Sequence, residues 1–425
     1  MYNLRGGFLL RPLIIALTLG FAGALLSWLE EAFPSLAQFV PTGLFPTHAD
    51  PQVAQVILSG IATSIMTVVS IVFAILLMTL TLASMQFSPR IIVSFAKDRV
   101  TQWTLGVFLG TFCYCMAALP AARSLPHAFA PVLAVCGAML LALSCVAWLL
   151  YFIHHISQAI SVSHIVDRIA SETEGIIDDV MPLPRENQKT VEHPPQEFDA
   201  WDIPILSEES GYIRFIDTIR LVRLAKFHHV KIRAVRRVGQ FVPAGTPLVM
   251  VYKANRLSDE NTREILGAFD LGPSRTLQQD VEFGVLQIVD IALKAISPAV
   301  NDPTTAVSCV DQLSRILIRF ASRELPATML YDPPGIERVA IPWIDFQGLL
   351  KSAFEQIRLY SKSDVAVSLR LLRALGDVAW TNPDQEFRKS LYEEGTRIVE
   401  GCTEKLDDHE LRPMRARLTV LQRFV

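Results

Sequence analysis

Four long apolar stretches occupy the first third of the chain, and short polar segments separate them. Each is long enough to cross a bilayer, because a hydrocarbon core of about 30 Å requires roughly 20 residues of α-helix. They lie at about residues 8–29, 56–86, 104–122 and 131–153. We therefore predict a transmembrane domain over residues 1–155. The first stretch is too long for the apolar region of a signal peptide, and further spans follow it.

The positions of Lys and Arg predict how these helices are oriented. Basic residues in short loops favour the cytoplasmic side of the membrane. Such residues lie before or at the start of the first span and between the second and third spans: Arg5, Arg11, Arg90, Lys97 and Arg99. Residues 30–55, between the first and second spans, contain no Lys or Arg. We expect both termini, and everything after Tyr151, to be cytoplasmic.

Small and hydroxyl-bearing residues recur on one side of the second span, at spacings of three, four and seven. Positions three and four apart share a helical face. The residues are Gly60, Thr63, Thr67, Ser70, Ala74, Thr81, Ser84 and Ser88. Close packing between membrane helices explains such a stripe, and so does the wall of a water-filled pore. The middle of each span lacks Asp, Glu, Lys and Arg, which argues against a proton-driven pump.

Three basic residues follow the second span and allow two interpretations. Arg90, Lys97 and Arg99 could hold the anionic inner leaflet. If the stripe lines a pore, the same residues would surround its cytosolic mouth and favour anions. The two interpretations remain open at the level of sequence.

Charge becomes frequent after the fourth span, where the chain turns amphipathic. We predict a helical extension and linker over residues 156–209. In this prediction the fourth helix continues as one rod, and a proline-rich linker begins near residue 182. The polar composition of the remaining chain predicts a cytosolic α+β part.

Short alternating apolar runs, separated by Gly and Pro turns, indicate a β-rich module at residues 210–255. The order "GYIRFID", "LVRLA" and "VGQFVPAGTPLVMV" resembles the barrel-sandwich hybrid fold of biotinyl and lipoyl carriers. In such carriers a lysine between two methionines on a hairpin takes the cofactor. The corresponding segment 225–229 has Lys226 without flanking methionines. We therefore expect a small barrel or sandwich without a cofactor.

Helical patterns dominate residues 256–425 and predict a C-terminal helical bundle. We expect helices at about 276–296, 303–323, 345–361, 363–380, 384–406 and 409–424, with a hairpin at 329–342. Asp302 has the character of an N-cap, because Pro303 follows at the first helical position.

Four polar residues flank the helix predicted at 276–296: Asp280, Glu282, Asn301 and Asp302. They could form a ligand or metal site, or they could cap helices and bridge subunits. No catalytic motif accompanies them, and the cysteines show no metal-like spacing, so we expect neither an enzyme nor a bound metal. The net charge of −3 disfavours nucleic acid as a partner.

Several segments together resemble a known family. They are "ASMQFSPR", "KDRVTQWTLGVFLGTFCYC", "YFIHHIS" and "DVEFGVLQIVDIALKAISPAVNDPTTA", the last at residues 280–306. On these segments the chain is identified as a member of a family of predicted bacterial membrane proteins, the domain of unknown function 2254. The resemblance implies a protein of the bacterial inner membrane and assigns no catalytic residues.

Two hypotheses for function follow from this organisation. In the first, copies of the chain assemble in membrane lipid into an ion channel or pore, which the cytosolic part regulates. In the second, the chain is a membrane-anchored sensor or scaffold, and its four helices serve only for anchoring and assembly.

Overall fold

A computed structural model describes residues 10–34, 50–86, 99–124, 128–159, 161–183, 202–332 and 335–424. The chain divides into a membrane unit that ends at His164 and a C-terminal unit that begins at Ile165.

Four helices are described in the membrane unit: α1 (Leu10–Ala32), α2 (Pro51–Gln86), α3 (Arg99–Ala118) and α4 (Val132–Ala159). A short 3₁₀ turn, Leu119–Ala121, extends α3. All four helices are long and apolar enough to cross a membrane. The prediction of four spans is therefore confirmed within the described residues.

Glycines let α1 and α3 approach closely. A Cβ atom at Gly23 would lie 2.6 Å from the carbonyl oxygen of Tyr114, and one at Gly106 would lie 2.6 Å from Cδ1 of Ile15. Such small residues are typical of helix contacts in membranes, where backbones pack directly against one another. The two helices are therefore held by close packing along their length.

Polar contacts gather the helix ends on one side of the membrane unit. Glu30, near the end of α1, accepts a hydrogen bond from the backbone N–H of Leu133 at the start of α4 (2.9 Å). Gln55, near the start of α2, donates to the carbonyl oxygen of Ala122 after α3 (2.6 Å). Arg123, after α3, also pairs with Glu31 of α1, so these four helix ends lie together and successive helices run in opposite directions. Helix α1 therefore begins on the side of the unit where α4 ends.

Helix α5 (Val162–Val180) belongs to the C-terminal unit from Ile165 onward. The predicted continuous rod is wrong, because α4 ends at Ala159 and α5 is a separate helix. Its apolar face, from Ile165 to Ile177, is buried in the C-terminal unit. The apolar face of α5 is therefore part of the core of the C-terminal unit.

The described residues of the C-terminal unit include eight strands in two open sheets: β1 (Asp202–Leu206), β2 (Gly211–Ile216), β3 (Lys231–Ala234), β4 (Phe241–Val242), β5 (Pro247–Tyr252), β6 (Phe269–Gly272), β7 (Met329–Asp332) and β8 (Ile336–Ala340). One sheet has the order β1-β5-β3-β8-β7 and the other β4-β2-β6. The strands pair antiparallel, except that β3 and β8 are parallel. The hairpin predicted at 329–342 is confirmed as β7 and β8.

The predicted barrel is wrong, because the described strands form two open sheets. The segment read as a strand around Leu221 is a helix, α6 (Thr218–Phe227). Asp217 caps it, and Leu221 and Ala225 bury one face of it at a spacing of four. The supposed carrier hairpin at 225–229 is the end of this helix. Strands from outside residues 210–255 complete both sheets.

Seven further helices are described in this unit: α7 (Asp259–Leu266), α8 (Val281–Ala295), α9 (Pro303–Ala321), α10 (Phe346–Tyr360), α11 (Val365–Thr381), α12 (Gln385–Cys402) and α13 (Asp408–Gln422). The helices from α8 onward match the predicted C-terminal set. An aspartate caps the first turn of each one except α7, which Ser258 caps: Asp280, Asp302, Asp345, Asp364, Asp384 and Asp407. A carboxylate at this position satisfies free N–H groups and suits the helix dipole.

Candidate functional site

The stripe on α2 lies on the outer surface of the membrane unit. Its described members are exposed: Gly60, Thr63, Thr67, Ser70, Ala74 and Thr81. The opposite side of α2 is buried, from Leu58 to Val72, and packs against α3 and α4. No described atom lies within 4 Å of a Cβ built on Gly60. Packing between described helices of one chain therefore does not account for the stripe.

The hydroxyl groups of the stripe donate to the backbone of their own helix. Thr63 bonds to the carbonyl oxygen of Ser59 (2.8 Å), Thr67 to that of Thr63 (3.1 Å) and Ser70 to that of Met66 (2.9 Å). Each oxygen keeps lone pairs that can accept a further hydrogen bond. The stripe therefore presents acceptor oxygens to whatever covers it.

The other membrane candidates lie near the end of α2 or beyond it. Ser84 is within α2, but its side chain is outside the described part of the structure, as are Ser88, Arg90 and Lys97 altogether. Arg99 is the first residue of α3 and is exposed. The structure therefore describes one of the three predicted mouth residues.

Two of the predicted ligand-binding residues belong to a charge network at the start of α8. Asp280 caps α8 and accepts two hydrogen bonds from Arg275, at 2.7 and 2.8 Å. Glu282 accepts two from Arg237, both at 3.1 Å, and one from Arg275 at 2.9 Å. Ser352 of α10 donates to the same carboxylate at 2.9 Å. Two carboxylates and two guanidinium groups make the network neutral.

Burial and pairing act in opposite directions on these two carboxyl groups. Burial raises the pKa of Asp280, whose exposed fraction is 3%, although Arg275 opposes the shift. Burial also acts to raise the pKa of Glu282, but the hydrogen bond and charge of Arg237 outweigh it, with help from Ser352 and Arg275. The pKa of Glu282 falls to about 2. Glu282 is therefore a carboxylate near neutral pH, fully engaged with its partners.

The Asn301–Asp302 turn lies at the other end of α8. Asn301 has a left-handed backbone, with φ of 53°. Asp302 caps α9 and accepts hydrogen bonds from the backbone N–H of Thr305 (3.1 Å) and from its hydroxyl (2.6 Å). Those bonds hold the pKa of Asp302 below its usual value. The fifteen residues of α8 span about 22 Å, so the structure does not bring this turn together with Asp280 and Glu282.

Metal ligands are not grouped in the described ranges. No set of three or more His, Cys, Asp or Glu residues there could hold a metal ion. The network carboxylates already have arginine partners, which compete with any cation for the same oxygens. The network can hold the start of α8 against α10 and the segment that contains Arg237. Each of its charged groups already has a partner of opposite charge.

A small cavity lies beside the charge network. It has a volume of about 30 Å³, and its lining includes Arg237, Glu282 and Trp343. The indole N–H of Trp343 is buried and finds no hydrogen-bond acceptor among the described residues. A cavity of this size holds roughly one or two water molecules, which excludes an organic ligand of ordinary size.

The partners in this network were not evident from the sequence. Arg237, Arg275 and Ser352 lie on three different segments, and only the fold unites them. The sequence did mark the turn that contacts Asp280, because Gly239 stands in the turn motif "VGQFVPAG". In the structure Gly239 has φ of 87°. A Cβ there would lie 2.2 Å from Oδ2 of Asp280.

Comparisons with known proteins agree with the membrane architecture. A family model described as predicted membrane protein (DUF2254) matches residues 5–377. An uncharacterized protein of Mycobacterium bovis and one of Mycobacterium tuberculosis are each 32% identical over 370 residues, which cover 86% of this chain and 71% of theirs. No solved structure matches.

Proposed function

The chain belongs to the DUF2254 family of predicted membrane proteins, and we propose that it forms a homo-oligomeric ion channel in which copies of α2 line a shared axis. In this proposal the protein resides in the bacterial inner membrane with both termini cytoplasmic. It conducts ions and catalyses no reaction. The C-terminal unit regulates conduction.

The exposed stripe on α2 is the observation that carries this proposal. Its residues are small or hydroxyl-bearing, and they lie on the surface of the membrane unit beside exposed apolar residues of α2 such as Ile71 and Leu77, while Leu58 and Val72 on the opposite side are buried. In a single chain that surface would face lipid, where hydroxyl oxygens gain nothing. On a water-filled axis the same oxygens accept hydrogen bonds from water. Ions that pass along the axis therefore keep more of their hydration.

The proposed assembly of several copies follows from the small number of helices in one membrane unit. Four helices expose the stripe on their outside and do not enclose it, whereas a water-filled path through the hydrocarbon must be surrounded by protein. Several copies arranged around one axis would supply such a wall. Arg99, exposed at the start of α3, would lie near one mouth of the path and favour anions there.

A second candidate function is a membrane-anchored sensor or scaffold without transport activity. One observation favours it: the hydroxyl donors of Thr63, Thr67 and Ser70 are satisfied by the backbone of α2. Hydroxyl groups bonded in this way are tolerated in lipid. A stripe that only packs copies together would then be an assembly surface with no path for ions.

Ion flux through liposomes that contain the purified full-length protein separates the two functions. The matched variants are Ala74→Leu on the stripe and Ala147→Leu on α4, since both alanines are exposed and both changes add the same bulk. We expect Ala74→Leu to reduce flux several-fold and Ala147→Leu to leave it unchanged. Equal effects of the two variants, or no flux from the unmodified protein at any ionic condition and pH tested, would favour the scaffold.

A further inference from the structure

Helix α6 of the C-terminal unit has one face that no described residue covers. Ile219 and Phe227 are 72% and 77% exposed, among the most exposed large apolar side chains described in the C-terminal unit. Arg223 is exposed between them. These three residues are four apart, so they share one face of the helix. The opposite side, with Leu221 and Ala225, is buried in the core of the sheets.

Basic side chains flank the two apolar ones. Arg220 and Lys226 are exposed on the same helix, and Arg256 reaches its end by donating to the carbonyl oxygen of His229 (3.0 Å). We call this set the α6 surface: Ile219, Arg220, Arg223, Lys226, Phe227 and Arg256. It combines large apolar groups with several cations.

The charge of the α6 surface is only partly cancelled. Arg220 and Arg256 donate to backbone carbonyl oxygens, of Gly267 and His229, which carry no net charge. Lys226 pairs with Asp332 at 2.8 Å, but that carboxylate also lies 3.7 Å from Arg338. Positive charge therefore prevails, even with Asp217 capping the helix.

We propose that the α6 surface binds the headgroup layer of an anionic lipid bilayer. Short helices with bulky apolar residues among Lys and Arg lie in the membrane plane, with the apolar groups at the boundary of headgroups and acyl chains. Ile219 and Phe227 enter that boundary, and the arginines contact lipid phosphates. The charge complementarity favours lipid over a second copy of the chain, because two such surfaces would repel each other. This binding is independent of whether the protein conducts ions.

Photo-crosslinking from the α6 surface tests the proposal in the full-length protein. A benzoylphenylalanine replaces Phe227, and the protein is reconstituted in vesicles of phosphatidylcholine with or without phosphatidylglycerol. The matched position is Trp380 of α11, which is 76% exposed on the same unit. We expect lipid adducts at position 227 that increase with phosphatidylglycerol and decrease with salt, and few adducts at position 380.

Removal of charge provides the second measurement. With the crosslinker at position 227, we expect Arg220→Gln and Arg223→Gln to reduce lipid adducts roughly fivefold for each arginine removed. The control is the pair Arg412→Gln and Arg415→Gln on α13, whose side chains are also exposed. The proposal is overturned by adducts to a second copy of the chain, by equal lipid adducts at positions 227 and 380, or by no adducts at position 227.

Discussion

Gly239 and Asp280 are in such close contact that a Cβ atom at position 239 would force the Asp280 side chain or the turn to shift. A Cβ on Gly239 would lie 2.2 Å from Oδ2 of Asp280, and the backbone there has φ of 87°. The backbone N–H of Gly239 donates to the carbonyl oxygen of Ile213 in β2 (2.8 Å). The turn before β4 is thereby fixed against the N-cap of α8.

This contact predicts the cost of adding a methyl group at the turn. We expect Gly239→Ala to lower the free energy of unfolding of the C-terminal unit by about 2–5 kcal/mol, because backbone strain adds to the clash. Gly245→Ala is the control, since Gly245 has φ of 78° but open space around its Cβ position. It should cost only about 1–2 kcal/mol. Thermal unfolding of the full-length protein in detergent checks both values, and equal losses would contradict the role given to Asp280.

The low pKa of Glu282 predicts how stability depends on pH. A carboxyl group with a folded pKa of about 2, below its usual value of 4.5, stabilises the fold at any pH above the usual value. That contribution is lost as the pH falls from about 4.5 towards 2 and amounts to about 3 kcal/mol. Glu282→Gln should therefore be clearly less stable than the unmodified protein at pH 7, with a smaller difference at pH 3. A pH-independent difference, measured by chemical unfolding, would contradict this account.

Arg315 and Arg319 of α9, together with Arg323 just after its end, hold α5 in the C-terminal unit. Arg315 binds Asp167 (2.9 Å) and Glu174 (3.0 Å), while Arg319 and Arg323 both bind Asp178 (2.8 and 2.6 Å). Exposed ion pairs are individually weak, about 0.2–1 kcal/mol, but a network holds one helix at several points.

We expect Arg315→Gln to speed amide hydrogen exchange along residues 165–178 without changing exchange in α11. Arg412→Gln serves as the control, because Arg412 is exposed on another helix. Unchanged protection of α5 in the Arg315 variant would show that its apolar face alone holds it.

Two glycines of the membrane unit should respond differently to the same substitution. At Gly23 a Cβ would meet the backbone oxygen of Tyr114 at 2.6 Å, whereas no described atom lies within 4 Å of a Cβ at Gly60. We expect Gly23→Ala to destabilise the membrane unit by about 1–3 kcal/mol and Gly60→Ala to have little effect on it. Thermal unfolding in detergent tests the pair, and a larger loss for Gly60→Ala would contradict the arrangement of α1 against α3.

The sequence predicted those structural features that depend on residues close together in the chain. The spans followed from runs of apolar residues, and the start of α9 followed from Asp302 and Pro303, because a cap and its helix are adjacent in the chain. Gly and Pro turns around the run from Leu221 to Ala225 favour a strand, but the run forms a helix that buries Leu221 and Ala225. The strand predicted there led to the incorrect barrel.

Long-range pairings had no such signal. The parallel pair of β3 and β8 joins Ile232 to Val339. No repeat in the intervening sequence predicts this pairing. The sequence likewise singled out Asp280 and Glu282 as charged residues in an apolar signature, but their arginine partners come from other segments. Whether such carboxylates are free for a ligand depends on those distant partners.

The central claim is that the α2 stripe faces water in the assembled membrane protein. Its most direct test is the reaction of Thr67→Cys with a membrane-impermeant thiol reagent in vesicles, in a background whose native cysteines are replaced, with Ala147→Cys as the control. We expect Thr67→Cys to be modified and ion flux to fall as it reacts, while Ala147→Cys stays unmodified. A Thr67→Cys thiol that stays unreactive while flux persists, or one that reacts only as slowly as Ala147→Cys, would contradict the claim.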